Sequence, residues 1–313
     1  KTKRKMAIFK IDIDKLTEIK EESFDLERDI QKLTEKNLEK IFKLKLVRGL
    51  TKLGEFSLHD LRVDTLAFDE ENKSFVVIEY KKDKNISVID QGYAYLALLL
   101  SNKADFILEY NENIEDKLKK EDIDWTQSRV IFISPFFTKY QKQAINFRDL
   151  PIELWEVKKF SNNTILFNQL KSPETSESIN KISQKSEVVK EVSKEVKVYS
   201  EEDHLKNGSE ESLEVYNELK NKILELGEDI IIKPRKWYIG FTRNTNFADV
   251  LLQRSKVKLF INLPKGRLKD PLNLARDISG IGHWGNGDYE VHIENLENLD
   301  YLVGLVKQSY DKN

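Results

Sequence analysis

The sequence predicts a mixed α/β protein built from two globular parts and a charged segment between them. Apolar residues recur at helical spacing through residues 24–46, and β-rich runs follow at 61–68 and 75–81, separated by the turn-like "DEENK". The pattern of residues 86–101 predicts a helix that is apolar nearly all round, and shorter apolar runs continue to residue 168. A helix, a run of strands, a helix and further strands in this order are typical of a mixed α/β domain.

A change of composition marks the second part of the chain. Residues 169–208 are rich in Ser, Glu and Lys, contain neither Trp nor Phe, and include "KSEVVKEVSKEVKV", which indicates a linker with some helix. A globular pattern returns after it, with helices predicted near 210–226 and 298–310 around several strands. The predicted domains are therefore residues 1–168, a charged linker over 169–208, and a smaller α+β domain over 209–313.

The composition excludes several classes of protein. The chain of 313 residues has no cysteine, which excludes disulfides, thiol catalysis and cysteine-type zinc sites. It has no run of about 18 apolar residues, and its basic N-terminus is not followed by the apolar core of a signal peptide. We therefore expect a cytoplasmic protein without a membrane partner. The formal net charge of -2 means that any surface for nucleic acid must be local.

The stretch "FVVIEYKKDK", residues 75–84, ends a buried strand in charged residues. Folding it onto 61–68 as a hairpin places Asp64 opposite Glu79, with Lys81 on the same face. Two buried carboxylates in such a position repel and cost several kcal/mol unless a cation joins them. Mg²⁺ takes one or two carboxylates, a carbonyl and water, and a nearby lysine can orient a metal-bound water. The alternative is an ordinary surface ladder in which Lys81 neutralises one acid.

The residues of this hairpin and its flanks resemble the PD-(D/E)XK nuclease superfamily. The signature is Asp64 followed by "EYK" at 79–81, with Val63 in place of the usual proline. The following helix carries "QGYAY", residues 91–95, which is similar to the Gln-x-x-x-Tyr motif of RecB-type and NucS-type members. The resemblance covers roughly residues 24–168 and implies a restriction-endonuclease-like αβββαβ core.

The helix before the hairpin carries "ERDIQ", residues 27–31, which is similar to the glutamate-bearing helix of NucS-type members. A helical wheel places Glu27 on the apolar side, near Ile30 and Leu38, and places Glu35 at the margin of that side. An alternative interpretation is that Glu27 is a partly exposed helix residue without a functional role.

The resemblance implies a nuclease that uses Mg²⁺ or Mn²⁺ to hydrolyse DNA phosphodiester bonds, with DNA expected rather than RNA. Asp64, Glu79 and the main-chain carbonyl of Tyr80 would bind the metal, and Glu27 would hold a second ion or a metal-bound water. A setting in prokaryotic defence or DNA repair is implied by analogy with the family alone.

The resemblance also gives two polar side chains a role. Lys81 would position the attacking water, and Gln91 would orient Lys81 or contact a phosphate. Tyr95 is expected to be a core residue. Two other functions stay open, a nucleic-acid-binding module that does not cleave and a regulatory interaction protein. The oligomeric state is open too, with a homodimer among the options.

The second domain has a basic stretch at residues 233–269 that contains ten Lys and Arg and one acid, Asp249. Aromatic residues lie among these charges, a combination typical of surfaces that bind phosphates and stack on bases. A sheet with one solvated basic face is the alternative. Candidate nucleic-acid-binding residues over the whole chain are Arg62, Lys82, Arg235, Lys236, Lys256 and Lys258.

A glycine-rich stretch, "DISGIGHWGNGDYEVHI" at residues 277–293, follows the basic stretch. It does not fit a GxGxxG fingerprint, so we expect a tight turn rather than a dinucleotide site, and a second site using His283 and Asp288 is the alternative. This half of the chain resembles an uncharacterised C-terminal domain found attached to nuclease-like domains, which supplies no activity.

Overall fold

The computed structural model describes residues 7–58, 61–81, 87–145, 147, 150–171, 187–282 and 285–313. The chain divides into two compact units, Lys1–Val198 and Tyr199–Asn313. No helix within these described ranges is long and apolar enough to cross a membrane.

The first unit is a mixed α/β structure. Its strands are β1 (Ile8–Asp12), β2 (Lys15–Ile19), β3 (Glu21–Glu22), β4 (Lys45–Gly49), β5 (Phe56–Leu58), β6 (Leu61–Val63), β7 (Thr65–Asp69), β8 (Ser74–Tyr80), β9 (Arg129–Ser134), β10 (Ile152–Phe160) and β11 (Ile165–Leu170). Its helices are α1 (Glu27–Lys36), α2 (Leu38–Phe42), α3 (Val88–Ser101), α4 (Lys103–Asn113), α5 (Lys139–Ala144) and α6 (Glu187–Glu195), with 3₁₀ turns at Lys120–Asp122 and Trp125–Gln127.

A seven-stranded sheet forms the centre of this unit, in the order β11-β10-β9-β8-β7-β4 with β3 beside β10. β7 lies between β4 and β8 and is antiparallel to both, whereas β9 runs parallel to both β8 and β10. β1–β2 and β5–β6 form separate two-stranded sheets. In chain order, a helix, three antiparallel strands, a helix and a parallel strand therefore follow one another.

The hairpin of β7 and β8 lies in the middle of the sheet and is covered on both faces. Leu66 pairs with Val77, which is the predicted register. Leu66 and Val77 belong to the apolar cluster that contains α3 residues such as Leu96, and the alternate residue Val76 belongs to the cluster that contains Ile30 of α1. Apolar residues therefore pack on both faces of this hairpin.

Three sequence expectations for this unit need correction. The predicted strand over 61–68 is interrupted by a bend at Asp64, so that β6 pairs with β5 and β7 pairs with β8. The helical stretch over 24–46 is two helices that meet at Asn37, where the Asn37 N–H donates to the Thr34 carbonyl at 3.0 Å. Its last residues begin β4 instead of continuing the helix.

Helix α3 is pressed closely against the sheet. Its N-terminus is capped by Ser87, whose hydroxyl accepts from the Asp90 N–H at 3.3 Å. A Cβ atom at Gly92 would lie 2.4 Å from Ile152 Cδ1. Glycine in the "QGYAY" motif therefore brings the helix close to the strands and fixes the positions of Gln91 and Tyr95.

Part of the predicted linker belongs to the first unit. Helix α6 contributes Val192 to the core cluster that it shares with α3, and Val196, just after the helix, joins the same cluster. The Lys197 N–H donates to the Thr126 carbonyl at 2.9 Å. Of residues 169–208, the stretch 172–186 lies outside the described residues.

The second unit is an α+β structure with one sheet, the class that the sequence predicts. Its strands are β12 (Ile231–Pro234), β13 (Ile239–Thr242), β14 (Asn246–Leu252), β15 (Val257–Ile261), β16 (Arg276–Asp277) and β17 (Tyr289–Ile293), and its helices are α7 (Glu201–Leu205), α8 (Glu210–Leu224) and α9 (Leu299–Tyr310). The six-stranded sheet has the order β12-β13-β14-β15-β17-β16 and is antiparallel throughout. Its core lies between one sheet face and the helices α8 and α9.

Candidate active site

Asp64 and Glu79 are brought together at the end of the central hairpin. Glu79 is in β8 and only 4% exposed, and Asp64 occupies the bend just before β7. An Asp64 carboxylate oxygen, Oδ2, accepts from the Tyr80 N–H at 3.1 Å, and the Asp64 carbonyl accepts from Gln31 Nε2 at 2.9 Å. The bend is thus held from β8 on one side and from α1 on the other.

Three side chains contact the Glu79 carboxylate. Lys81 Nζ lies 2.5 Å from Oε1, and Gln91 Nε2 donates to the same oxygen at 3.3 Å. The Tyr95 hydroxyl lies 2.8 Å from Oε2 and 2.9 Å from the Arg62 carbonyl, and its single proton can serve one of these acceptors at a time. The expectation that Tyr95 belongs to the core is met by its 3% exposure, yet its hydroxyl is part of the site.

Burial and charge repulsion change the acidity of both carboxyl groups. Burial, and next the Asp64 carboxylate, raise the pKa of Glu79 to about 7, and the opposing effect of Lys81 is too small to cancel them. Burial also raises the pKa of Asp64. Burial and the nearby Glu79 carboxylate raise the pKa of Tyr95, so its hydroxyl remains a donor. Burial and the repulsion between the two carboxyl groups thus outweigh the effect of the neighbouring Lys81 on Glu79.

A buried acceptor without a donor lies beside this pair. Gln91 Oε1 is buried and has no hydrogen-bond partner among the residues that the structure describes, although its Nε2 contacts Glu79. An orphaned carbonyl next to two carboxyl groups fits a hydrated hard cation, since such cations take oxygen ligands and carry water that can donate to an amide oxygen. The Asp64 and Glu79 carboxyl groups therefore fit Mg²⁺ or Mn²⁺, for which the Tyr80 carbonyl stays a predicted ligand.

Helix α1 holds the bend through one side-chain face. Gln31 and Glu35 lie one turn apart, and Gln31 Nε2 contacts Glu35 Oε1 at 3.1 Å as well as the Asp64 carbonyl. Glu35 is 3% exposed and accepts from the Leu50 N–H, the Thr51 N–H and the Thr65 hydroxyl at 2.9, 2.6 and 2.6 Å. The helical wheel was wrong in placing Glu35 at the margin, because the turn at residues 49–51 folds over this side of α1.

Glu27 occupies the position one turn before Gln31 on the same helix face and is half-buried. Within the described part of the chain, no group of three or more His, Asp or Glu side chains could hold a metal ion. The carboxyl groups that the structure brings together here are thus Asp64 and Glu79, and Glu27 as holder of a second ion stays a prediction. Sequence reasoning gave Gln31 and Glu35 no role in holding the bend, although the i, i+4, i+8 spacing of Glu27, Gln31 and Glu35 indicated a shared polar face.

The candidate phosphate contacts of the first unit are less defined. Arg62 is in β6, is exposed, and forms an ion pair with Glu55. It therefore does not continue the Asp64–Glu79 face, because the bend at Asp64 redirects the chain. Lys82 lies outside the described residues.

In the second unit, the basic residues lie at different places on the sheet. Arg235 and Lys236 are in the turn between β12 and β13, where the Arg235 N–H donates to the Tyr238 carbonyl at 2.7 Å. Lys256 comes just before β15 and Lys258 is in it, and both lie beside His292 of β17, which Lys258 pairs with and Lys256 Nζ approaches to 3.2 Å. Lys258 Nζ donates to Glu290 Oε2 at 3.1 Å.

The glycine-rich stretch is a close-fitting turn in its described part. A Cβ at Gly285 would lie 2.3 Å from Phe260 Cγ, and Gly287 has φ +80° with its Cβ position 2.3 Å from the Ile261 carbonyl oxygen. Asp288 accepts from the Lys265 N–H at 2.6 Å. His283, the other residue considered for a second site, lies outside the described residues.

Comparison with known proteins gives this chain relatives without an assigned activity. A domain of unknown function, DUF5655, matches residues 201–313. An uncharacterized protein of Haemophilus influenzae is 46% identical over 304 residues, which cover 97% of this chain and 99% of that protein. The chain belongs to the same family as this Haemophilus protein. No solved structure matches it.

The family match bears on the second unit. DUF5655 begins at residue 201, two residues after the start of the second compact unit at Tyr199. It therefore includes α7, whose His204 ring Nε2 lies 2.6 Å from the Arg235 carbonyl. This helix, which the sequence assigned to the linker, packs within the second unit.

Proposed function

We propose that this chain is a metal-dependent nuclease that hydrolyses DNA phosphodiester bonds. The observation that carries the proposal is the juxtaposition of two buried carboxyl groups, Asp64 and Glu79, with Lys81 and the orphaned Gln91 carbonyl at the end of a central hairpin. The order α1, β4, β7, β8, α3, β9 supports it too, because the resemblance to PD-(D/E)XK nucleases implies a helix, three strands, a helix and a strand.

Mg²⁺ or Mn²⁺ would be held by Asp64, Glu79 and the Tyr80 carbonyl. When bound, such an ion lowers the pKa of a water ligand and neutralises charge on a phosphate. The Tyr80 N–H donates to Asp64 Oδ2, and the Tyr95 hydroxyl contacts Glu79 Oε2. These hydrogen bonds orient both carboxylates before any ligand arrives, which is the usual task of outer-shell partners.

Lys81 and Gln91 would act on the substrate side of the carboxylates. The Lys81 side chain is 14% exposed, and its ammonium group contacts Glu79. A short movement would take this group to a water or a phosphate oxygen. Gln91 has one donor on Glu79, and its carbonyl, which accepts no hydrogen bond from the described residues, would accept from water. Together they would position the attacking water and stabilise the negative charge of the transition state.

The test is a cleavage assay on the full chain with plasmid and single-stranded DNA in Mg²⁺, Mn²⁺ or EDTA. We expect cleavage in metal alone, and a loss of roughly 10²–10³-fold or more in Asp64→Asn, because the substitution removes one anionic ligand. Binding of DNA in EDTA should be kept in this variant. Glu70→Gln is the matched control, since Glu70 is an exposed carboxylate that pairs with Lys45. Activity in EDTA, or activity that survives in Asp64→Asn, would contradict the proposal.

One observation favours a second function, binding of nucleic acid without cleavage. Lys81 already supplies a cation to Glu79 at 2.5 Å, so the carboxylate has a partner from the protein itself. In that case DNA would bind with equal affinity in Mg²⁺ and EDTA, and no product would form. A role in defence or repair follows for either function only by analogy.

A further inference from the structure

The two faces of the second sheet differ in character. On β15, Val257, Leu259 and Ile261 enter the core beneath α8 and α9. The intervening residues Lys258 and Phe260 point to the other face, where they pair with His292 and Glu290 of β17.

Glu290 is the centre of a basic cluster on this second face, which we define as Lys256, Lys258, Arg276, Glu290 and His292. Glu290 is 4% exposed, and its Oε2 accepts from Lys258 Nζ at 3.1 Å. Its Oε1 lies 3.2 Å from Arg276 Nη2 and 2.8 Å from His292 Nε2. Glu290 lies in β17, four strands from the β12 edge of the sheet. Its buried carboxylate thus contacts donors from β15, β16 and β17.

The hydrogen bonds of His292 fix its tautomer. Lys256 Nζ lies 3.2 Å from His292 Nδ1, and an ammonium group can only donate. Nδ1 is therefore the acceptor and Nε2 carries the proton that is given to Glu290. Apart from this imidazole, the cations of the cluster are Lys256, Lys258 and Arg276.

The charge of the cluster is positive and partly accessible. Lys258 and Arg276 contact the single carboxylate, and Lys256 lies beside His292. Although burial opposes it, Lys258 and His292 lower the pKa of Glu290, which keeps that group ionised. The Arg276 side chain is 61% exposed and contacts Glu290 through Nη2, so the rest of its guanidinium faces solvent. A planar guanidinium beside two ammonium groups suits the oxygens of a phosphate.

Other charged groups near the cluster do not cancel it. Asp249 lies in the same cross-strand row as Glu290, on the far side of Phe260, and both its oxygens accept from Asn246 and Asn286. Asp277, the neighbour of Arg276, pairs with Lys265 at 2.8 Å.

We propose that Lys256, Lys258 and Arg276 form a phosphate-binding site, positioned by Glu290, through which the second unit holds the sugar-phosphate backbone of DNA. The inference rests on the proposed function for its substrate, and it names the residues of the basic stretch that make the contact. Lys265 and Arg243 are excluded, because each forms an ion pair with one aspartate, Asp277 and Asp229 respectively.

The experiment is a salt titration of DNA binding by the full chain in EDTA, using a labelled duplex of fixed length. Each phosphate contact contributes about 0.9 to the slope of log K against log salt between about 50 and 200 mM. We expect the double variant K256A/R276A to lower the slope by about two, and to weaken binding more than tenfold at the low-salt end. Lys265→Ala is the matched control, because it removes one positive charge from the same unit and should leave the slope unchanged.

Glu290 needs its own variant because its role is positioning. Glu290→Gln raises the net charge of the protein, so a purely electrostatic surface would bind DNA more tightly. We expect weaker binding instead, since the glutamine cannot hold three donors, and thermal unfolding of the variant reports whether it is folded. Tighter binding in folded Glu290→Gln would overturn the positioning role.

The outcomes separate this inference from the proposed function. If K256A/R276A and Lys265→Ala changed the salt slope equally, or if neither changed it, the phosphate site would be overturned even if the wild type cleaves DNA. A selective loss of slope in K256A/R276A without any cleavage in Mg²⁺ or Mn²⁺ would support the site and contradict the nuclease.

Discussion

Glu79 in the first unit and Glu290 in the second are equally buried, each 4% exposed, and their acidities move in opposite directions. Burial and the Asp64 carboxylate raise the pKa of Glu79 to about 7. Burial works the same way on Glu290, but Lys258 and His292 reverse its effect and lower the pKa. Burial alone therefore does not decide the charge of a glutamate, and the sign of its neighbours does.

The difference indicates what each site lacks. The Asp64–Glu79 pair has more negative charge than its surroundings compensate, and a cation would complete it. The Glu290 cluster has more positive charge than one carboxylate balances, and an anion would complete it. The proposed nuclease would use the first site for a metal and the second for the sugar-phosphate backbone.

A third buried glutamate, Glu35, tests whether burial alone marks a functional carboxylate, or whether the carboxylate must also lack enough partners. It accepts hydrogen bonds from two main-chain N–H groups and the Thr65 hydroxyl. We expect Glu35→Ala to lower the free energy of unfolding by about 3 kcal/mol, because the Leu50 and Thr51 N–H groups lose their acceptor. Asp64→Ala should leave the stability of the metal-free protein unchanged or slightly raised, since it removes a repelling carboxylate.

Urea unfolding of both variants in EDTA measures this contrast. If Asp64→Ala lowered the free energy of unfolding as much as Glu35→Ala, the predicted difference between the two carboxylates would be wrong, because Asp64 would then be a structural carboxylate like Glu35. A control for the chemistry of the change is Glu70→Gln, at an exposed position of the same unit.

The raised pKa of Glu79 predicts an unusual dependence of stability on pH. The carboxyl group of the unfolded chain titrates near 4.5 and that of the folded chain at about 7, so the native state binds more protons in between. The free energy of unfolding of the metal-free protein should therefore fall as pH rises through this window, by at most about 3 kcal/mol from this group. Asp64, whose pKa is also raised, contributes with the same sign.

The measurement is urea unfolding of wild type and Glu79→Gln in EDTA at about pH 5 and about pH 8. Glu79→Gln should flatten the dependence and be the more stable protein at the higher pH. Added Mg²⁺ should stabilise the wild type at that pH and leave the variant unaffected, because a ligand that binds only the native state shifts unfolding. If the free energies of unfolding of the two proteins changed with pH in parallel, the pKa of Glu79 would not be raised in the folded protein.

Local patterns predicted the parts of the site that lie close in sequence. The register of Leu66 with Val77 follows from a short hairpin, so the approach of Asp64 to Glu79 could be anticipated. The bend at Asp64 could not, because it depends on Gln31, 33 residues away, which donates to the Asp64 carbonyl.

Long-range pairing hid other features in the same way. The helical spacing of Val189, Val192 and Val196 was visible within the charged segment, but only α3 shows which surface it covers. Glu290 accepts a hydrogen bond from Lys258, 32 positions away in the chain. Nothing local to either residue indicates the pairing of β15 with β17.

The smallest effect is expected at the opposite edge of the second sheet, and it sharpens the assignment of the phosphate site. Arg235 and Lys236 lie in the β12–β13 turn, whereas the basic cluster lies at β15, β17 and β16. Lys236 Nζ is 5.1 Å from the centre of the Trp237 ring, and that contact already engages the ammonium. The double variant R235A/K236A should lower the salt slope by two at most and by about one if Arg235 alone meets a phosphate. Cleavage per bound DNA should be unchanged, since neither residue is near Asp64 in the chain or shares its unit. A drop in slope larger than that of K256A/R276A would move the backbone contact to this turn and leave Glu290 with a purely structural cluster.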